Sequence, residues 1–413
     1  MSVAEERAKS APRDDAEARG AITAPAGFRA AAVAAGIKPE GPDLALLAAD
    51  RDCSAAAVFT TNRAQAAPVI VSREHLAAGR ARAVVINAGC ANAATGAPGI
   101  ADAREMAAVT AKAIGCAPTE VVVASTGVIG TRLPMDKVRA GIARAATRLG
   151  REAGADAARA ILTTDTRPKE ARVRFSLGGE TLTIGAMAKG AGMIAPNMAT
   201  MLAFFTTDAA VEPSLLARAL REAVGESLNR ITVDGDTSTN DMALLLASGA
   251  RPAPVLGKEG KGYDAFRAAL TEAARRIAEM IVRDGEGATR MAEVRVEGAR
   301  DAADADRIAR VVADSPLVKT ALHGGDPNWG RILAAVGRSG VELDVDRLDI
   351  FLGDVWVAEG GRARDYEEAA AHRAMLEDPV RIRVRLGAGQ AAGWTWTCDF
   401  SHGYVDINAH YRS

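Results

Sequence analysis

Aromatic residues are scarce in this chain, 4% of its 413 positions, so any core must be built from Ala, Val, Leu and Ile rather than from packed rings. Its five histidines (His75, His323, His372, His402, His410) are dispersed, with no metal-binding His cluster in the sequence and none in a Ser/His/Asp-like signature. The four cysteines, Cys53, Cys90, Cys116 and Cys398, lie far apart without paired spacing. That fits scattered reduced thiols, not a disulfide framework or a zinc site. Neither sign of charge dominates: 51 basic residues face 52 acidic ones, and no basic block marks a nucleic-acid footprint. No run approaches the ~18 apolar residues that would span a membrane. The opening "MSVAEERAKSAPRDDAEARG" lacks the apolar segment of a signal peptide, so residues 1–20 are expected to form a mobile, disordered arm and the protein to be cytoplasmic.

What is present suffices for more than one ordinary core. "APVIVS" and "RAVVINAG" read as buried strands, because each is a short apolar run ending in turn residues. "RVRFSLGGETLTIGAMA" reads as a hairpin: Val173, Phe175 and Leu177 alternate with Arg172 and Arg174, Gly178-Gly179 turns the chain, and Leu182, Ile184 and Ala186 return on one face. Leu216, Leu220 and Val224 stripe one helix, and Phe266, Leu270, Ile277 and Ile281 stripe another that stops at Gly285. "GARPAPVLGKEGKGYD" has the composition of a surface connector, and a strand–helix–strand alternation after about residue 300 suggests a smaller second lobe. The class is mixed α/β with helices covering sheets. "RLGAGQAAG" has the spacing of a dinucleotide fingerprint, but a strand pattern follows where a helix is required, so a hairpin turn is the better reading.

The stretch "KGAGMIAPNMATMLAFFTTDAA", Lys189 to Ala210, changes abruptly from a Gly-rich loop to an apolar strand at Ala199-Thr200. Cleavage before Thr200 would free an α-amine with a pKa of about 8, able to take the proton from its own hydroxyl. The plainer alternative, a threonine capping a loop at a strand start, is favoured by these residues alone. "EVVVASTGVIGTRLP" offers a strand over Val121–Val123 that breaks at Ser125-Thr126-Gly127, where Thr126 and Gly127 could donate to an oxyanion. A simple strand-to-loop turn is again the plainer reading.

Taken together, the motifs resemble the ornithine acetyltransferase family, the glutamate N-acetyltransferases of the cyclic arginine pathway. "ITAPAGFRAAAVAAGIK", "NAGCANAATG", "ASTGVIG", "TTDTRPKE", "NRITVDGDTSTND", "DGEGATR", "SPLVKTALHGGDPNWGR" and "YVDINAHYRS" carry the resemblance in order, alongside the segment around Thr200. Only the first twenty or so residues fall outside it. The resemblance implies self-cleavage between Ala199 and Thr200, giving an α chain (21–199) and a β chain (200–413) that stay associated, as a heterotetramer of two of each. It implies Thr200 as the nucleophile, Thr126 and Gly127 as the oxyanion hole, and substrate contacts at Thr163, Lys189, Thr200, Glu286, Asn408 and Ser413. Ser413 stands where the family commonly ends in Thr, which leaves the hydroxyl in place. The implied fold is a layered α-β-β-α sandwich resembling N-terminal-nucleophile hydrolases with different connectivity, plus a smaller C-terminal α/β lobe.

On this reading Lys189 holds a substrate carboxylate and Glu286 the cationic amine of ornithine. The expected reaction moves an acetyl group from N2-acetyl-L-ornithine to L-glutamate through acetyl-Thr200, with a self-processing amidase or aminopeptidase-like hydrolase as the alternative. No metal and no cofactor is expected. Asp234, Asp236 and Asp241 in "VDGDTSTND" lack calcium-loop spacing and are read as structural. Acetyl-CoA is a chemically competent second donor, but no phosphate-cradling loop and no basic cluster for its phosphates is visible, so its use is expected to be weak. "HGGDPNWGR" has no assigned role.

Overall fold

A computed structural model describes residues 18–195 and 201–410. The arm expected at residues 1–20, apart from its last three positions, lies outside the described residues, as do Ala199, Thr200 and Ser413.

The first sheet is built on one long strand. Its members are β1 (Phe28–Val33), β2 (Leu44–Phe59), β3 (Arg80–Cys90), β4 (Val121–Val128), β5 (Lys169–Leu177), β6 (Glu180–Lys189), β7 (Leu202–Thr207) and, after the two-residue β8 (Ile231–Thr232), β9 (Met242–Ala247). They run in the order β4-β3-β2-β9-β7-β6-β5, with β1 also paired to β2. The first part of β2 pairs with β1 and β3, and its last part, Ser54 to Phe59, with β9. Between them the register breaks between Ala48 and Cys53, and Asp50, Arg51 and Asp52 are exposed.

That break lets one sheet fold into two facing layers. Side chains alternate across a strand, and each layer accordingly buries two faces. Val84 and Ile86 of β3 share an inner core with Phe204 of β7 and Leu244 and Leu246 of β9. Ala83 and Val85 face the other way, onto Met106 and Ile142 of the helices Gly96–Ile114 and Met135–Ala146. From the opposite layer Ala203, Phe205 and Leu245 face Leu220 and Ile277 of the helices Pro213–Gly225 and Lys261–Arg283. The result is helix, sheet, sheet, helix, as expected.

The smaller lobe has its own core. Its strands β10 (Met291–Ala299), β11 (Asp349–Leu352), β12 (Val355–Glu359), β13 (Arg362–Ala363), β14 (Val380–Arg385) and β15 (Ala391–Cys398) form a sheet ordered β13-β12-β11-β14-β10-β15-β8. β8 joins it in parallel to β15 and so ties the two sheets together.

The β5–β6 hairpin forms as expected, with Gly178 and Gly179 at φ 61° and 87°. Four local expectations are corrected. "APVIVS" is the start of a helix, Ala67–His75, with Pro68 in its first turn; a short run buried on both sides carries no period that separates helix from strand. β4 does not break at Ser125 but continues to Val128, because its parallel partner β3 extends alongside it. The segment after β14 is no hairpin turn, since β14 and β15 each pair with β10 and lie on either side of it. The connector ends early as well, its last four residues opening the helix Lys261–Arg283.

Candidate active site

Thr126, Gly127, Thr163, Lys189, Glu286 and Asn408 line one pocket. They arrive from five separate segments: β4, the loop before β5, the end of β6, the loop after the helix Lys261–Arg283, and the helix His402–His410. The pocket therefore lies where the two layers of the first sheet meet the C-terminal segment.

Thr126 and Gly127 are fixed by strand pairing of unusual closeness. Gly127 has φ 129°, and a Cβ there would come within 2.3 Å of the Gly89 carbonyl carbon, so only glycine lets the two backbones approach this far. The register shifts at Cys90, a bulge that re-aims the strand end. Buried asparagines hold the surrounding backbone. The Asn240 side chain donates to the carbonyls of Ala91 (2.7 Å) and Ser125 (2.9 Å), bridging the two layers, and Asn87 donates to that of Cys90 at 2.8 Å.

Lys189, the last residue of β6, lies opposite Leu202. Met201, the residue after Thr200 in the sequence, is buried beside it and donates its N–H to Asp241 Oδ1 at 2.8 Å. Lys189 itself is only 4% exposed. Burial pulls its pKa down, and the nearby Asp165 carboxylate pushes it back toward the charged form.

Glu286 closes another side. Its N–H donates to Ala191 O at 2.9 Å, and its Oε2 accepts from the Asn408 side chain at 2.8 Å. A Cβ on Gly192 would sit 2.3 Å from that oxygen, so the glycine makes room for the carboxylate. Met193, which also lines the pocket, is held at φ 57°, a sterically costly conformation that its N–H bond to Asp234 Oδ2 (2.5 Å) helps to fix. Burial drives the Asp234 carboxyl up to about 6, against the pull of that bond. A buried cation and a buried carboxylate thus share a pocket with two strand-end groups. This arrangement can hold the carboxylate and ammonium of an amino acid beside a group able to stabilise an oxyanion.

The ArgJ family model matches residues 29–413. The chain belongs to the ArgJ family. The arginine biosynthesis bifunctional protein ArgJ of Symbiobacterium thermophilum is 52% identical over 397 residues, 95% of this chain and 99% of that one. The protein of the same name from Dehalococcoides mccartyi is 49% identical, over 95% of this chain and 98% of its own. A crystal structure of ArgJ from Bacillus halodurans aligns with TM-score 0.50 and 43% identity, covering 51% of this chain and all of that one.

Several residues that shape this ArgJ pocket escaped the sequence reading. Asn87 and Asn240 sit inside recognised motifs, yet nothing local reveals that they bridge layers. His323, from the unassigned "HGGDPNWGR" region, is 2.8 Å from Asp399 Oδ2. Asp399 also accepts the backbone N–H groups of Thr289 and Arg290, just past Glu286, and Ser401 donates to Gly287 O at 2.5 Å. Asp399 and Ser401 therefore brace the Glu286 loop against the helix that carries Asn408, and His323 adds to this through Asp399. Of the "VDGDTSTND" carboxylates, Asp234 and Asp241 hold backbone N–H groups, as a structural reading requires. Away from this pocket, Arg172, Arg174 and Arg251 line a separate cavity of about 440 Å³ near the β5–β6 turn together with Glu180, and Arg251 lies 3.7 Å from the Asp208 carboxylate. Thr183, on its wall, is six residues from Lys189, roughly 20 Å along β6.

Proposed function

We propose that this chain transfers the acetyl group of N2-acetyl-L-ornithine to L-glutamate through an acetyl ester on Thr200, after cutting its own Ala199–Thr200 bond. The carrying observation is that Lys189 and Glu286, opposite charges drawn from distant segments, line one pocket with Thr126 and Gly127. Donor and acceptor are both α-amino-acid derivatives, so a single cation for the carboxylate can serve each in turn. Glu286 takes the side-chain ammonium of ornithine. Thr200 Oγ attacks the acetyl carbonyl, its proton passing to the Thr200 α-amine. Thr126 and Gly127 stabilise the oxyanion, and the amide C–N bond breaks as ornithine leaves with a proton. The glutamate amine then attacks the ester, restoring an amide and the Thr200 hydroxyl. One amide is exchanged for another, so no high-energy donor is needed, and the pocket must exclude water to keep the ester from hydrolysing.

The α and β chains stay associated as a heterotetramer in the cytoplasm, and no cofactor takes part. Ser413 supplies a further substrate contact. Incubating purified protein with acetylornithine and glutamate tests the proposal: acetylglutamate is the expected product. Free acetate, made at the same rate with and without glutamate, would identify a hydrolase instead.

Acetyl-CoA can acylate the same threonine, because a thiolate is a better leaving group than an amine. Its use is expected to be weak, since the arginine-lined cavity is far along β6 and the carbonyl of Ala21 packs against Gly185 between the two. Steady-state rates with each donor at saturating glutamate check this. Comparable specificity constants would refute the preference.

A further inference from the structure

Behind Lys189 lies a buried charge network that the reaction itself does not use. Lys169 is fully buried, and its ammonium bonds the carboxylates of both Asp165 and Asp284, at 2.6 Å for Asp284. The Asp165 side chain is likewise buried. Its Oδ1 accepts the N–H of Gly190, the residue after Lys189, at 2.6 Å, and its Oδ2 accepts the N–H of Thr163 at 3.1 Å. Asp284, two residues before Glu286, accepts both the N–H of Thr166 (3.0 Å) and its hydroxyl. One lysine thus ties together the three segments that deliver Thr163, Lys189 and Glu286 to the pocket.

We propose that Asp165 is a positioning residue for substrate recognition: clamped by Lys169, it fixes the Thr163 loop and the end of β6 and sets a negative charge behind the buried Lys189. The inference rests on the reading of Lys189 as the holder of the substrate carboxylate. An isolated buried ammonium would lose its proton rather than remain charged. Asp165 is the foremost of the charges opposing that loss, followed by Glu286 and Asp241, while Lys169 favours it. The converse holds too. Burial alone would raise the Asp165 pKa, yet Lys189, Lys169 and the Gly190 N–H together bring it down to about 2, so it stays ionised throughout the working range. Lys169 has a double role, holding Asp165 in place while spending part of its charge on Asp284.

The test compares wild type, Asp165→Asn, Lys189→Met and the double variant in acetylornithine–glutamate transfer. Asp165→Asn should raise KM for glutamate about tenfold with a smaller change in kcat, and move the alkaline limb of kcat/KM to lower pH, because Lys189 then deprotonates sooner. In the Lys189→Met background the same substitution should add little. Multiplying effects in the double variant, or a kcat loss with KM and the pH profile unchanged, would overturn the proposal. Asp165→Glu is the second variant: it keeps the charge but displaces it, and should raise KM in the same direction by less. If Asp165→Asn gives no soluble protein, an unchanged KM in Asp165→Glu overturns the proposal alone. Failure of the underlying reading looks different, since Lys189→Met itself would then leave KM unchanged.

Discussion

Thr200→Ala should yield one uncut polypeptide with no measurable acetyl transfer, where the wild type should separate into chains of residues 1–199 and 200–413 on a denaturing gel. In the proposed scheme the Thr200 hydroxyl attacks the Ala199 carbonyl, forming a C–O bond as the C–N bond breaks; water would then hydrolyse that ester and leave Thr200 with a free amine. On the same proposal that amine, with an ordinary pKa of about 8, would be the base for later turnovers. Alanine removes nucleophile and base together, so a loss on the order of 10⁶-fold in kcat is expected, the scale seen when a covalent nucleophile is deleted. Thr200→Ser keeps both groups and should still process, more slowly. The bond from Met201 N–H to Asp241 would then anchor the chain one residue past the proposed cleavage point. A wild type that is active while wholly intact, or a Thr200→Ala protein that still splits, would sink the mechanism.

How far the sequence reaches depends on whether a feature is local. The β5–β6 hairpin was legible because alternation, turn glycines and the returning apolar face lie within seventeen neighbouring residues. The helix Lys261–Arg283 was legible for the same reason, its stripe of Phe266, Leu270, Ile277 and Ile281 facing one core. The helix at Ala67 was misread because a short run buried on every side has no face to betray its period. β4 was cut short because Ser-Thr-Gly resembles a turn; only the pairing with β3, many residues away, keeps the strand going. For the pocket, the residue types came from resemblance, and the fold then brings the described ones together. Lys169 and Asp284 were out of reach entirely. Their bond joins residues 115 positions apart, and neither flanking sequence has a pattern that demands a partner.

Thr126 and Gly127, adjacent in one strand, should separate into a chemical and a structural effect. Thr126 is 7% exposed, lines the pocket, and is held by the backbone bridge that Asn240 makes to Ser125. Removing a hydroxyl that bonds only the developing oxyanion costs the transition state more than the ground state, so Thr126→Ala should lower kcat by roughly a hundredfold or more. KM and thermal stability should change little, because the strand pairing does not involve the side chain. Gly127→Ala should do the reverse in stability. Its Cβ would meet the backbone of Gly89 and Cys90 at 2.3 to 2.5 Å, and no side-chain rotation relieves a backbone clash. β3 and β4 must then part at the pocket, with a stability loss of about 2–4 kcal/mol and activity lost alongside. A Thr126→Ala enzyme with wild-type kcat would show that its hydroxyl is not a donor and leave only the backbone N–H groups of this strand end to meet the oxyanion. A Gly127→Ala enzyme with wild-type melting temperature would mean that the two strands do not approach as closely as described.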